Sequence, residues 1–297
     1  MLDWKGVYPA VTTQFREDLS LDIEATRGVI QALVDDKVAG LVMCGTVGEG
    51  NSLSADEKRD VIALAVEVAN GKLPVVAGVS EYTPDLAANL ARDADKLGVS
   101  GLMVLPAMVY SGTAKETVFH YKQVTKASSL PIMLYNNPPS YKVDLTPELV
   151  AELSKIETVS AIKESSGHPN RLVDIRNIVG DGISLVCGLD DVVVECVALG
   201  AIGWVSGMSN VFPKEGNALF KLASQNKTKQ ALEIYDWFMP LLHLDARPDL
   251  VQCIKLCEEL AGRGSARVRP PRLSLEDDVR EFVETIFNEA NSNRPKL

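Results

Sequence analysis

One alternation constrains this chain more than any other feature. Eight short apolar runs follow one another with segments of helical periodicity between them and no linker. The runs cover residues 6–11, 40–44, 75–79, 101–105, 132–135, 159–163, 183–187 and 202–205, and amphipathic segments include residues 23–34, 58–68, 86–97, 117–126 and 149–153. Helix-start signals punctuate the pattern: Ser54-Ala55-Asp56-Glu57 is a capping box, while Thr83-Pro84 and Thr146-Pro147 place a cap residue before a proline. Consecutive βα units in this number predict a (β/α)8, or TIM, barrel. The alternative is a doubly wound open sheet, which would need a glycine-rich dinucleotide turn after the first strand. Thr12-Thr13-Gln14-Phe15 supplies none.

After Phe212 the pattern becomes helical, with segments at 229–242, 250–261 and, beyond the Pro270-Pro271 break, 275–290. We expect a barrel over residues 1–225 carrying the active site, a C-terminal helical domain over 226–297, and a loose polar tail from Asn291. A net charge of −10 argues against a nucleic-acid partner, since such surfaces cluster Lys and Arg. No apolar run approaches the ~20 residues of a membrane span, and the N-terminus lacks the order of a signal peptide. Five scattered cysteines suit reduced thiols, so a cytoplasmic protein without a membrane partner is expected.

In a barrel the chemistry lies at the carboxyl ends of the strands. Residues 159–163 form an apolar run that ends in Lys163 and gives way to a polar loop, Glu164-Ser165-Ser166-Gly167. Desolvation disfavours an ammonium, so a lysine at the mouth of an apolar barrel can attack a carbonyl carbon as the free amine. The plainer alternative is a strand-end lysine reaching for water or pairing with Glu164. Tyr135, followed by Asn136-Asn137-Pro138-Pro139, ends the preceding run and can move protons at a neighbouring lysine, or be a core tyrosine with a satisfied hydroxyl. The loop Gly45-Thr46-Val47-Gly48-Glu49-Gly50 could hold a carboxylate on its peptide N–H groups. The small-residue loops Gly188-Leu189-Asp190 and Ser206-Gly207-Met208 could admit a ligand or form a phosphate site. His120 and His243 fall in helical segments, and His168 lies just past the lysine loop. Glu49 and Glu164 lack a third ligand and predict no metal.

Gly45-Thr46-Val47-Gly48-Glu49, Tyr135-Asn136 with Pro138, Ile162-Lys163-Glu164 and Val268-Arg269-Pro270-Pro271-Arg272-Leu273 together resemble the dihydrodipicolinate synthase / N-acetylneuraminate lyase family over nearly the whole chain. The resemblance implies a homotetramer whose lysine forms a Schiff base with a small 2-oxo acid or imino acid. It makes Lys163 the nucleophile, Tyr135 the proton shuttle and Thr46 part of the relay. The backbone at Thr46 and Val47 would hold the substrate carboxylate, and Val205, Ser206 and Gly207 would line the far wall. No cofactor is called for, because the protonated imine is itself the electron sink.

Three departures bear on which family reaction the chain performs. Val47 stands where the family has a second threonine. Pro106-Ala107-Met108-Val109-Tyr110 lacks paired tyrosines, so the relay tyrosine is missing unless Tyr110 reaches round. Pro139-Ser140-Tyr141-Lys142 lacks the arginine used on a dicarboxylic second substrate, though Lys142 could substitute in part. The whole looks most like the branch associated with hydroxyproline breakdown. It implies hydroxyl elimination and deamination of Δ1-pyrroline-4-hydroxy-2-carboxylate to 2,5-dioxopentanoate. A pyruvate-dependent aldolase or synthase, such as a 4-hydroxy-tetrahydrodipicolinate synthase, and a barrel that binds without catalysing remain as alternatives.

Overall fold

The computed structural model describes residues 2–107 and 110–297, so Met108 and Val109 of the expected tyrosine stretch lie outside the described residues. The eight apolar runs are strands: β1 (Gly6–Pro9), β2 (Leu41–Met43), β3 (Val75–Val79), β4 (Gly101–Val104), β5 (Ile132–Asn136), β6 (Val159–Glu164), β7 (Ser184–Cys187) and β8 (Gly203–Ser206). Each pairs in parallel with its sequence neighbour from β2 to β8, and β8 returns to β1. Between β1 and β2 the barrel closes through Val11 N–H donating to Val42 O at 2.9 Å and Ala39 N–H to Val7 O at 2.9 Å.

The intervening helices are α1 (Ile23–Asp35), α2 (Ala55–Ala69), α3 (Pro84–Leu97), α4 (Ala114–Ala127), α5 (Pro138–Tyr141), α6 (Pro147–Leu153), α7 (Arg171–Val179), α8 (Val193–Ala198) and α9 (Pro213–Ser224). Caps set where they begin. Ser54 accepts from Glu57 N–H while Glu57 accepts from Ser54 N–H, and Thr83 and Thr146 cap prolines at the next position. The valine-rich α8 is a helix that sequence periodicity did not single out, because six residues are too few to show a 3.6-residue repeat. The strand interiors carry the core: Leu41, Val42, Val76, Leu102, Ile132, Leu134, Ile162 and Val186 have no exposure. Each such side chain contributes about 1.5–3 kcal/mol by leaving water.

Three further helices, α10 (Thr228–Asp245), α11 (Leu250–Leu260) and α12 (Asp277–Ser292), follow the barrel. The Val268-to-Leu273 motif ties this part to the loop after β2. Arg269 donates to both carboxylate oxygens of Glu57 at 2.8 and 2.9 Å, to Leu19 O and to Ser52 O, and lies over the Phe15 ring. Its peptide N–H donates to Glu49, whose other oxygen accepts from the wholly buried Lys255 at 2.9 Å. The expected loose tail is anchored instead: Arg294 pairs with Glu215 at 2.5 and 3.1 Å and stacks on Phe212, because Glu215 is buried and needs a cation. Among the described residues no helix is long and apolar enough to cross a membrane.

Candidate active site

The barrel mouth is built around one irregularity. On β5 and β6, Ile132 pairs with Val159 but Met133 pairs with Ala161, so Ser160 is an extra residue. The side chain of Ser160 is used elsewhere, accepting from the Trp4 indole at 3.0 Å. Beyond the bulge Tyr135 stands opposite Lys163 and Asn136 opposite Glu164. Residues in register on parallel strands share a face, so Tyr135 and Lys163 both enter the barrel while Asn136 and Glu164 face away. Glu164 is therefore occupied by Asn136 Nδ2 at 2.9 Å and Ser166 N–H at 2.6 Å, and does not pair with Lys163.

Lys163 Nζ lies 3.9 Å from the centroid of the Tyr135 ring, and both residues are buried. Burial pushes the amine below the ordinary lysine range, against the opposing pull of Tyr141, Asp245 and Asp190. The lysine lies across Gly188. A Cβ there would come within 2.7 Å of Lys163 Cγ, 2.8 Å of Cε and 2.0 Å of Ser165 Oγ, so only glycine leaves the side chain its path.

The cavity around Lys163 is lined by Thr46, Val47, Tyr135, Val205 and Gly207, all expected there, together with Tyr141, Asp245 and Leu250. Ser206 is turned away: its hydroxyl donates to Asp190 at 3.1 Å and accepts from Ser209 N–H. Asp190 also accepts from Trp204 Nε1 at 2.8 Å and from the peptide N–H groups of Gly207 and Met208 at 3.3 and 2.7 Å. The corner that could have formed a phosphate site is thus filled by the protein's own carboxylate. Among the described residues there is no metal-binding cluster.

Tyr110 does not reach the site; it is exposed and donates to Glu116 at 2.9 Å. Lys142 turns back to Pro139 O at 3.1 Å and is absent from the cavity wall. His120 is buried against Leu105 O, while His168 and His243 are exposed.

Two lining residues with titratable side chains, Tyr141 and Asp245, were not among those expected. Tyr141 closes the single turn of α5, its hydroxyl hydrogen-bonded to Thr46 Oγ1 and its ring edge-on to Tyr135 with centroids 5.7 Å apart. Burial raises the phenols of both tyrosines, and Asn137 Nδ2 donates to Tyr135 at 3.3 Å. The signal was Asn137-Pro138-Pro139, a cap residue before prolines that starts a turn of helix. Asp245 ends α10 on a stripe with Phe238, Leu241 and Leu242, all buried. An acid at the last position of an apolar i, i+3, i+4, i+7 stripe was its signal.

Comparison with known proteins matches residues 3–290 to the dihydrodipicolinate synthetase family. A 4-hydroxy-tetrahydrodipicolinate synthase of Rickettsia bellii is 31% identical over 287 residues, covering 96% of each chain. One of Alkaliphilus oremlandii is 32% identical over 248 residues, covering 82% of this chain and 85% of its own. Among solved structures, dihydrodipicolinate synthase from Aquifex aeolicus superposes with a TM-score of 0.93 at 27% identity, covering 97% of this chain and 98% of its own. The Escherichia coli K12 prophage protein YagE, solved in complex with pyruvate, superposes at 0.92 with 25% identity, covering 97% and 99%.

Proposed function

Since the chain belongs to the dihydrodipicolinate synthetase family, we propose that it is a Schiff-base lyase acting on a small 2-oxo acid or its cyclic imine. The carrying observation is a buried amine held below its ordinary proton affinity, 3.9 Å from the ring of Tyr135, which packs edge-on against Tyr141, itself hydrogen-bonded to Thr46. Lys163 attacks C2 as the free amine and forms the imine. The substrate carboxylate rests on the peptide N–H groups at Thr46 and Val47. Tyr135, with Tyr141 and Thr46 behind it, carries protons between the lysine-bound carbon, C3 and solvent. Loss of a C3 proton gives the enamine.

The charge of the cavity favours one fate for that enamine. Among the described residues Lys163, the group that becomes the imine, is the only cation lining the wall. The carboxylate of a second substrate would find no free cation there, which disfavours condensation with an aldehyde that itself carries a carboxylate. We therefore assign the elimination branch. Lys163 opens the ring of Δ1-pyrroline-4-hydroxy-2-carboxylate, and the enamine expels the C4 hydroxyl as water. Proton shifts from C5 to C3 and from the C5 amine to C4 then give a second imine at C5, and hydrolysis of the two imines takes up two waters, releasing ammonia and 2,5-dioxopentanoate. The second reading, condensation of pyruvate with an aldehyde as in a 4-hydroxy-tetrahydrodipicolinate synthase, is favoured by the names of the relatives.

Residues 226–297 serve the site through Asp245 and Leu250, which supports treating them as a helical domain docked on the barrel. A homotetramer is the assembly we propose, supported by the exposed side chains of Tyr82, Leu86, Tyr110 and Phe119. The five cysteines are free and buried, which supports a cytoplasmic setting.

The test is borohydride trapping with pyruvate and with the pyrroline in separate tubes, followed by peptide mapping. An adduct on Lys163 that is missing in Lys163→Ala, with ammonia released from the pyrroline, is the expected result. An adduct from pyruvate with no ammonia from the pyrroline, and condensation with aspartate semialdehyde, would replace elimination with the second reading.

A further inference from the structure

Among the described residues every buried carboxylate but one has a side-chain donor, although Glu258, held by Thr12 on one oxygen, leaves its other oxygen without a partner. Asp190 has four, Glu49 has Lys255 and the peptide of Arg269, and Glu164 has Asn136 and Ser166 N–H. Asp245 is the exception. It is only 8% exposed, and its one donor is the peptide N–H of Asp190. A buried carboxylate with a single peptide donor is costly to keep. Keeping one at the wall of a reactive cavity calls for a use.

The fold goes to some length to hold it there. Tyr235 on the same helix donates to Asp191 O at 2.5 Å and to Glu195 at 2.8 Å, fixing α10 against the β7 end of the barrel. Gly207 leaves the carboxylate its room, since a Cβ at that position would lie 2.3 Å from Asp245 Oδ1. The nearest cation in sequence, Arg247, is taken by Asp249 at 2.7 and 2.9 Å. The charged and titratable groups facing Asp245 are Lys163, Tyr135, Asp190 and Asp191. Burial raises its carboxyl to about 6, with Lys163 opposing, so a proton can reside there near neutrality.

Position then separates two proton-transfer roles. Tyr135 flanks Lys163 on the β5 side, with Tyr141 and Thr46 behind it, whereas Asp245 flanks it on the side of β7 and β8. Elimination needs one group to take the C3 proton and another to protonate the departing oxygen, because hydroxide is a poor leaving group. Resting on the elimination reading above, we propose that Asp245 is the acid that protonates the hydroxyl leaving from C4 of the lysine-bound substrate. The enamine nitrogen lone pair re-forms the C2–N double bond, the C2–C3 π pair becomes the C3–C4 double bond, and the C4–O bond breaks. The oxygen takes the Asp245 proton and departs as water. The carboxylate regains its proton from solvent before the next turnover.

The experiment compares Asp245→Asn with the unaltered chain in three reactions: C3–H exchange of pyruvate in D2O, ammonia release from Δ1-pyrroline-4-hydroxy-2-carboxylate, and chloride release from 4-chloro-2-oxobutanoate. General acid assistance is worth about 100-fold or more, so ammonia release should fall at least that far, while exchange falls less than about tenfold. Chloride needs no proton to depart, so its release should track the exchange rate. Equal losses in all three reactions would make Asp245 structural, and undiminished ammonia release would remove it from the reaction; either overturns the proposal while leaving the elimination reading intact. If the unaltered chain exchanges pyruvate protons but releases no ammonia, the elimination reading fails and takes the proposal with it.

Discussion

Tyr135 faces Lys163 across β5 and β6 because Ser160 is bulged out of the ladder below them. Continued from Ile132 and Val159 without that extra residue, the pairing would set Tyr135 opposite Ile162 and Lys163 opposite Asn136. One residue therefore decides whether the amine and the phenol share the barrel interior. The resulting contact, 3.9 Å from Nζ to the ring centroid, is the core of the site.

Gly188 is the residue least able to change near that contact. Gly188→Ala places a methyl group on the path of Lys163 and on Ser165 Oγ. Borohydride trapping with pyruvate should drop at least about 100-fold, since a misplacement near 1 Å costs that much in a positioned reaction. Circular dichroism should show the barrel retained; full trapping would refute the account of the lysine's path.

On the proposed mechanism the second tyrosine of the relay is Tyr141, at the end of α5 and hydrogen-bonded to Thr46. Tyr141→Phe should lower kcat by about 100-fold with a smaller effect on KM, while Tyr110→Phe leaves turnover within about twofold, because Tyr110 reaches only Glu116. Steady-state kinetics of the two variants decide the matter, and a reversed order would move the relay to Tyr110.

An amine attacks a carbonyl carbon only when neutral, and burial lowers the pH at which Lys163 becomes so. The trapping rate should rise with pH along a limb centred below that of a free lysine side chain, then level off. A limb at the free-lysine position would mean that water reaches the amine in solution. Rapid-quench trapping across a pH series measures it.

The Lys255–Glu49 pair has no exposure on either side, and Lys255 also donates to Thr13 O. Lys255→Met leaves Glu49 with the Arg269 peptide alone and should cost about 3–5 kcal/mol in urea unfolding. The double variant Lys255→Met with Glu49→Leu should recover part of that loss. A single-variant cost below about 1 kcal/mol would show the pair to be hydrated in solution.

Much of the architecture was legible because it is written in local chemistry. Period-two and period-3.6 patterns, the Ser54 capping box and the threonine–proline caps are decided within a few residues, and they were enough to predict eight parallel βα units. Lys163 and Tyr135 could be singled out for a related reason: a polar residue ending an apolar strand is anomalous wherever the strand lies. Their register across β5 and β6 was not legible, because a bulge reports on the neighbouring strand and on Trp4, far away in sequence.

Tyr141, Asp245, Ser206 and the tail show where only the tertiary structure decided. Tyr141 and Tyr110 are both tyrosines in polar loops, and the partners that distinguish them, Thr46 and Glu116, lie 95 and six residues away. Asp245 enters the site from a helix beyond the barrel, and Arg294 finds Glu215 across 79 residues. Sequence alone determined which residues could do chemistry and which strands would carry them, because burial periodicity and side-chain type are local properties. Which of those residues meet was decided by long-range packing, where close-packed neighbours admit one side chain and turn another aside.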